Sequence, residues 1–233
     1  MREKEYSDKE LGKIVIRENP RARRIVLRTR PEAIYITVPC GVAMNDIQDT
    51  IEKFRPRLIH SKKKVERKQI NLDYKIDAEF FKLSLVNGTQ SRFLSHSELG
   101  QTNIICPPTA NFEDEELQGW LRKVIEEALR KNAKIILPQL IDRLSAQHQL
   151  PYKSLKINSS QGRWGSCSST KNINLSYYLL LLPQNLIDYV ILHELTHTKE
   201  MNHGDKFWEI LNGLTQGRAL ELRGMLKKYT TDF

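Results

Sequence analysis

Residues 184 to 198, QNLIDYVILHELTHT, place the tightest constraint on the fold. Helical periodicity puts apolar side chains on most of the circumference, so this segment belongs inside a core and not on a surface. It nevertheless carries His193, Glu194 and His197. Buried polar groups need partners, so the surrounding fold must either satisfy two imidazoles and a carboxylate or aim them into a common cleft. On a helix His193 and His197 lie one turn apart on one face, and Glu194 projects about 100° round the same cylinder.

That spacing suits metal-assisted hydrolysis. Two neutral imidazoles and a third protein ligand hold Zn²⁺ while a fourth position stays open for water, and an adjacent carboxylate that is not a ligand can move protons. Glu194 is placed for the proton-transfer role. His203 is the natural third ligand, because Glu200-Met201-Asn202 can turn the chain after the helix and bring the next residue back over the metal. Glu200 is the alternative, either as a competing carboxylate ligand or as a partner for a histidine's other ring nitrogen. Two blander readings stand beside this one. The histidines can be satisfied core residues, or they can hold a structural zinc closed by a cysteine such as Cys167.

Elsewhere the chain reads as alternating strand and helix regions. Residues 13–38 contain three short β-branched runs separated by Glu18-Asn19-Pro20 and Arg30-Pro31-Glu32, the pattern of a small antiparallel meander. Met44-Asn45-Asp46 precedes a helix with Ile47, Ile51 and Phe54 at helical spacing, ending in the basic run HSKKKVERK. Phe81–Val86 and Thr102–Cys106 are the next strands. A helical stretch from about Glu113 to His148 carries Leu117, Leu121 and Ile125 on one stripe, and Pro138 should break or kink it. SLKINSS and NINLSYYLLLLP then read as two strands of a hairpin joined by QGRWGSCSSTK. Asn185 can cap the histidine-bearing helix, and a last helix begins near Gly204-Asp205 and runs towards RALELRGMLKKY. No internal repeat is visible. In the WGSC stretch, Trp164 reads equally as a core anchor or a cleft residue, Gly165 relieves a tight backbone approach, and Cys167 is a small buried hydrophobe. Phe207 and Trp208 are expected to pack against the histidine helix.

The pair GRWGSCSSTKNINLSYYLLLLP and YVILHELTHTKEMNHGDKFW resembles the paired signature of the YgjP-like family of zinc metallopeptidases, zincins that are more distantly similar to SprT-like proteases. The resemblance is carried by residues 164–167, Asn202-His203 and Phe207-Trp208; the N-terminal strands and basic helix share only the general pattern. It implies that His193, His197 and His203 are zinc ligands and that Glu194 is the catalytic acid/base. The expected fold class is therefore α+β: residues 71–233 form a zincin-like metallopeptidase domain with a small antiparallel sheet and a metal-binding helix. A basic strand-and-helix region, residues 1–70, precedes it. The expected reaction is peptide-bond hydrolysis with Zn²⁺ as cofactor and a peptide or protein as substrate, the substrate being positioned by a strand edge near residues 172–178. Hydrolysis of a non-peptide amide needs the same chemistry.

Charge bears on partners. The net +9 is concentrated in residues 1–70, where 18 Lys and Arg face 10 Asp and Glu. ARRIVLRTR and the later basic run can form a nucleic-acid face, and a nucleic-acid-associated adaptor with a structural zinc is the alternative function. No aromatic residues interleave with these runs as a stacking platform requires. Three widely spaced cysteines (Cys40, Cys106 and Cys167), the charged start MREKEYSDKELGK and the shortness of every apolar run point to a cytoplasmic protein with reduced thiols and no membrane span. Oligomeric state is left open.

Overall fold

The computed structural model describes residues 3–30, 32–65, 68–231 and 233; Pro31 and the Glu66-Arg67 end of the basic run lie outside the described residues, as do the side chains of residues 63–65. The chain divides into two compact units, one up to Lys68 and one from Gln69. All three cysteines are free. No described helix is long and apolar enough to cross a membrane.

The first unit is a four-stranded sheet covered by one helix. Strands β1 (Glu3–Asp8), β2 (Gly12–Glu18), β3 (Val26–Thr29) and β4 (Ile34–Val38) lie in the order β1-β2-β4-β3, followed by α1 (Met44–Val65). This corrects the expected meander: β2 and β4 are parallel neighbours, with Ile14 opposite Ile34 and Ile16 opposite Ile36. Pairing the two most apolar strands centrally lets Ile14, Ile16, Ile34, Ile36 and Val38 bury one continuous face against Ile47, Ile51 and Leu58 of α1. Strand β3, which carries Arg28 and is flanked by Arg23, Arg24 and Arg30, is left at an edge. The charged strand β1 is an element that residue patterning did not reveal. It is joined to β2 by a turn in which the Asp8 carboxylate accepts from the N–H groups of Glu10 and Leu11, and Gly12 adopts a positive φ of 68°.

In the second unit, β5 (Lys75–Asp77), β6 (Lys82–Asn87), β7 (Leu94–Glu98) and β8 (Gln101–Cys106) form a sheet in the order β5-β6-β8-β7. It is followed by α2, which runs unbroken from Glu115 to His148 through Pro138. Proline removes the hydrogen bond to the carbonyl four residues back; the buried flanking residues Leu137, Leu140 and Ile141 keep the helix in place, so the expected pair of helices is one. The next three strands, β9 (Ser154–Asn158), β10 (Gly165–Cys167) and β11 (Asn172–Ser176), are ordered β10-β11-β9. Here β9 and β11 are parallel and β10 is antiparallel to β11, so the expected two-strand hairpin is replaced by a mixed sheet.

Tyr177–Leu181 is a 3-10 helix and not the continuation of a strand. Its four consecutive residues Tyr177 to Leu180 are all buried. A pleated strand turns alternate side chains to opposite faces, whereas a helical turn enclosed by core on all sides buries the whole run. Then α3 spans Gln184–Thr196 with Pro183, not Asn185, at its N-cap, and the Glu79 carboxylate accepts from the Gln184 N–H at 2.8 Å. A carboxylate there also complements the positive end of the helix dipole. The expected single C-terminal helix is two, α4 (Asp205–Leu214) and α5 (Ala219–Leu226), separated where Gln216 and Gly217 both take positive φ. The core of this unit joins Ile125, Leu129 and Leu137 of α2 to Leu186, Ile187 and Ile191 of α3.

The two four-stranded sheets repeat one architecture, although the sequence shows no repeat. In each, the outer pairs are antiparallel and the central pair is parallel, and a helix follows. Leu83 and Leu85 stand opposite Thr102 and Ile104 as Ile14 and Ile16 stand opposite Ile34 and Ile36. The bond from the Asn19 N–H to the Val38 carbonyl has its counterpart from Gly88 to Cys106, and a proline follows each of those acceptors. Two ββββα units therefore share a plan without sharing visible sequence.

In the first unit the Arg55 guanidinium spans Asp8, Glu10 and Glu52 and holds the Asp8 carboxyl well below the ordinary carboxylate range. A depressed folded-state pKa contributes stability above the unfolded pKa, and that contribution is lost as pH falls through the folded value. Asp8→Asn should therefore lower the denaturation midpoint of this unit at pH 7, with the difference from wild type shrinking progressively below about pH 4. Chemical denaturation of both proteins at pH 7, 4 and 3 checks this; a difference independent of pH would show that the ion pair is not its source.

Candidate metal centre

The site is built at the C-terminal end of α3, where His193 occupies the last turn and His197 is the C-cap. The helix stops because the chain tightens: Thr198 and Lys199 donate to the carbonyls of Leu195 and Thr196, and the Thr198 hydroxyl donates to the Leu195 carbonyl at 2.7 Å. The reversal through Met201-Asn202 then returns His203 to the site, just before the Gly204 N-cap of α4. The ligand-capable atoms of His193, His197 and His203 all lie within 4.8 Å of one another. Among the described residues, no Cys, Asp or Glu joins this cluster.

The donor set fits a divalent ion. The Nε2 atoms of His193 and His203 are 3.1 Å apart, a separation that two nitrogens each about 2.0–2.1 Å from one ion can span. His197 Nδ1 lies 3.1 Å from the Glu200 backbone carbonyl, which assigns its proton to Nδ1 and leaves the Nε2 lone pair for the cluster. Glu200 thus contributes through its main chain; its carboxylate accepts from the Asn202 N–H instead. Burial, reinforced by the neighbouring histidines, pushes His193 down to about 3, and burial likewise lowers His197, so both rings are neutral and able to ligate at pH 7. His193 Nδ1 is buried with no hydrogen-bond partner among the described residues, unlike His197 Nδ1.

Beneath the three imidazoles lies Phe207, fully buried, with ring centroids 4.9, 4.6 and 4.6 Å from His193, His197 and His203. Trp208 packs edge-on against it. Phe207 thus packs against the histidine helix and forms the floor of the cluster, while the ring contacts of Trp208 are with Phe207 and His203. Tyr189 and Arg223 were not singled out from sequence. Tyr189 stands one helical turn before His193 with its ring 6.2 Å away, and this spacing was readable. Arg223, on α5, lies over Trp208 and brings positive charge towards His193, a placement that no local pattern encodes.

Glu194 projects from the same helix with 6% exposure, accepts no hydrogen bond among the described residues, and is raised by burial to about 7 against the opposing pull of Arg163. Its neighbour is β10. A Cβ built on Gly165 would stand 2.8 Å from both Cγ and Oε1 of Glu194, so the absence of a side chain there is what lets the strand lie against the carboxylate. The substrate edge expected near residues 172–178 is corrected by the topology. Strand β11 is the middle strand, hydrogen-bonded on both sides, and the open edge beside Glu194 belongs to β10. Trp164 is half-buried against the core, and its carbonyl accepts from the Ser176 N–H. Cys167 is half-buried with its thiol pushed up to about 11, chiefly by burial, and stands outside the histidine cluster.

Two imidazoles at the end of a buried helix, a third returned to them by the following loop, and a carboxylate without a hydrogen-bond partner among the described residues make the arrangement of a metal-dependent hydrolase. Comparison with known proteins agrees: the YgjP-like metallopeptidase domain matches residues 23–229, and the chain belongs to the YgjP-like family. Among solved structures, the metallopeptidase zymogen of Pyrococcus abyssi abylysin is 20% identical with a TM-score of 0.36, covering 40% of this chain and 94% of that one. The metallopeptidase zymogen of Methanocaldococcus jannaschii jannalysin is 25% identical with a TM-score of 0.33, covering 40% and 96%. No curated protein matches the chain.

Phe207→Ala should cost about 3–5 kcal/mol of stability, because it empties a fully buried ring site in contact with all three histidines. Denaturation of the second unit measures it. A loss below about 1 kcal/mol would mean that the rings are not supported from beneath.

Proposed function

We propose that this protein is a zinc-dependent metallopeptidase in which His193, His197 and His203 hold Zn²⁺ and Glu194 is the general acid/base. The observation that carries this reading is the convergence of three imidazoles, two from the end of α3 and one from the loop after it, beside a buried carboxylate of α3 that has no hydrogen-bond partner among the described residues. When bound, the zinc supplies a Lewis acid that makes hydroxide available from water near neutral pH. Glu194 takes the proton released by the attacking water and returns it to the amide nitrogen of the leaving group. Burial suits it to both steps, since a carboxylate raised to about 7 exchanges its proton readily near neutral pH. The Glu200 carbonyl fixes His197 in one tautomer, and Phe207 keeps the rings in register. The open edge of β10 orients an extended substrate by main-chain hydrogen bonding, with Arg163 and Trp164 beside it.

The absence of Cys167 from the cluster favours an open, catalytic site over a structural zinc, which closes its fourth position with a protein ligand. Wild type purified without added metal or a histidine tag should contain about one zinc per chain, and each of His193→Ala, His197→Ala and His203→Ala should lose it while still folding. Elemental analysis with circular dichroism reads both properties; wild type that takes up no metal after incubation with zinc would end this reading.

Glu194→Gln should retain the metal and lower kcat on a cleaved peptide by about 10²–10⁴-fold. Gly165→Ala should also retain the metal but lose roughly 10²-fold in kcat, because its new Cβ displaces the Glu194 side chain. Full activity in Glu194→Gln would remove Glu194 from the mechanism.

A further inference from the structure

We propose that the free edge of β3 and the groove beside it form a docking site for an extended acidic peptide segment of a partner protein, which adds to the first sheet as another strand. The inference goes beyond the hydrolytic site, and binding is read without reference to catalysis.

Strand β3 ends its sheet. The Arg30 N–H donates to the Ala33 carbonyl at 2.9 Å, so by the alternation of an antiparallel pair the backbone groups of Arg28 and Val26 face β4, and those of Leu27 and Thr29 face outwards. An edge strand with outward-facing N–H and C=O groups is a template for another strand. Side chains on the helix-facing side of such an added strand would enter a groove of about 380 Å³ between β3 and α1. Ile25, Leu27, Phe54 and Leu58 form its apolar lining, with Arg24 and Arg57 beside them. No carboxylate is among the described lining residues, and neither arginine has an ion-pair partner among the described residues.

The second ββββα unit supplies an internal control. Aligning the helices by burial sets Ile47, Ile51 and Leu58 against Leu117, Leu121 and Ala128, which places Thr50 where Trp120 stands. Trp120 packs at a tilt on Phe93 at the head of β7 with centroids 5.0 Å apart and stays partly exposed, whereas Thr50 is one of the residues lining the groove. The first copy has a small residue where the second has a large aromatic one. Charge selects the occupant. Exposed Arg23, Arg24 and Arg28 would set like charges together if β3 met β3 of a second copy, and they attract a peptide bearing Asp or Glu. A nucleic acid would use the arginines but not the open peptide edge or the apolar lining.

The test measures fluorescence anisotropy of a labelled peptide of alternating Glu and Val residues on the full chain carrying Glu194→Gln, which prevents cleavage. A Lys-Val peptide and a single-stranded DNA oligonucleotide are run in parallel. The Glu-Val peptide should bind, more weakly as salt rises, and the Lys-Val peptide should not. Arg24→Glu combined with Arg57→Glu should weaken binding by about tenfold or more. Thr29→Pro removes an outward N–H without touching the ladder to β4, and Thr50→Trp fills the groove; each should abolish binding while circular dichroism stays unchanged. Failure of the Glu-Val peptide to bind, or equal binding by wild type and the charge-reversed and Thr50→Trp variants, would overturn the proposal. DNA binding that these substitutions remove, with no peptide binding, would assign the face to nucleic acid instead.

Discussion

Burial of α3 on almost every side is the constraint from which the rest of the second unit follows. A helix carrying Leu186, Ile187, Val190, Ile191 and Leu195 has to be enclosed, and enclosing it forces a solution for Glu194, whose charge is expensive where water is scarce. The fold does not neutralise that carboxylate with a partner. It lays against it a strand lacking a side chain at the point of closest approach, Gly165, and leaves the acid form accessible. His193 and His197 meet the same demand differently: burial lowers their basicity and keeps them neutral, a phenyl ring supports both, and the Glu200 carbonyl holds His197.

Much of this was legible in the residues. The placement of His193, Glu194 and His197 on one helix follows from spacing alone, and the return of His203 follows from a polar turn after a helix end. The tight approach at Gly165 was readable as an approach but not as one to Glu194, because the identity of the opposing atom depends on sheet order. Strand direction was the main failure, and its cause is physical. Alternation reports which face of a strand is buried, and it is the same for a parallel and an antiparallel neighbour. Ile14–Ile16 and Ile34–Ile36 would satisfy either pairing by composition; only the crossover that sends β3 to the edge decides. Tyr177–Leu181 was misread because an unbroken apolar run is ambiguous between a buried strand and a buried helical turn.

The duplicated ββββα plan escaped the sequence for a related reason. What the two copies share is position, a buried residue at each inward site and a proline after the last central strand, and those sites hold isoleucine, leucine, threonine or cysteine alike. Divergence in identity with retention of pattern erases a repeat from the letters while keeping it in the hydrogen-bond ladder. The mixed sheet of β9, β10 and β11 has no counterpart in the first unit and carries the contact to Glu194.

The helices that close the two copies differ in what they are tied to. Helix α1 buries its apolar stripe against its own sheet. Helix α2, 34 residues and so about 51 Å long, is bonded to its own sheet by Asn132 at Gly100, to the 3-10 helix by Glu126 at Tyr178, and to α3 by Arg143 at Asp188. Helix α2 thus links the second sheet to the elements that surround the histidines. The edge strand and groove of the first copy are lined by residues between Arg24 and Ser61, so the surface open to association and the three histidines are encoded in separate stretches of the chain.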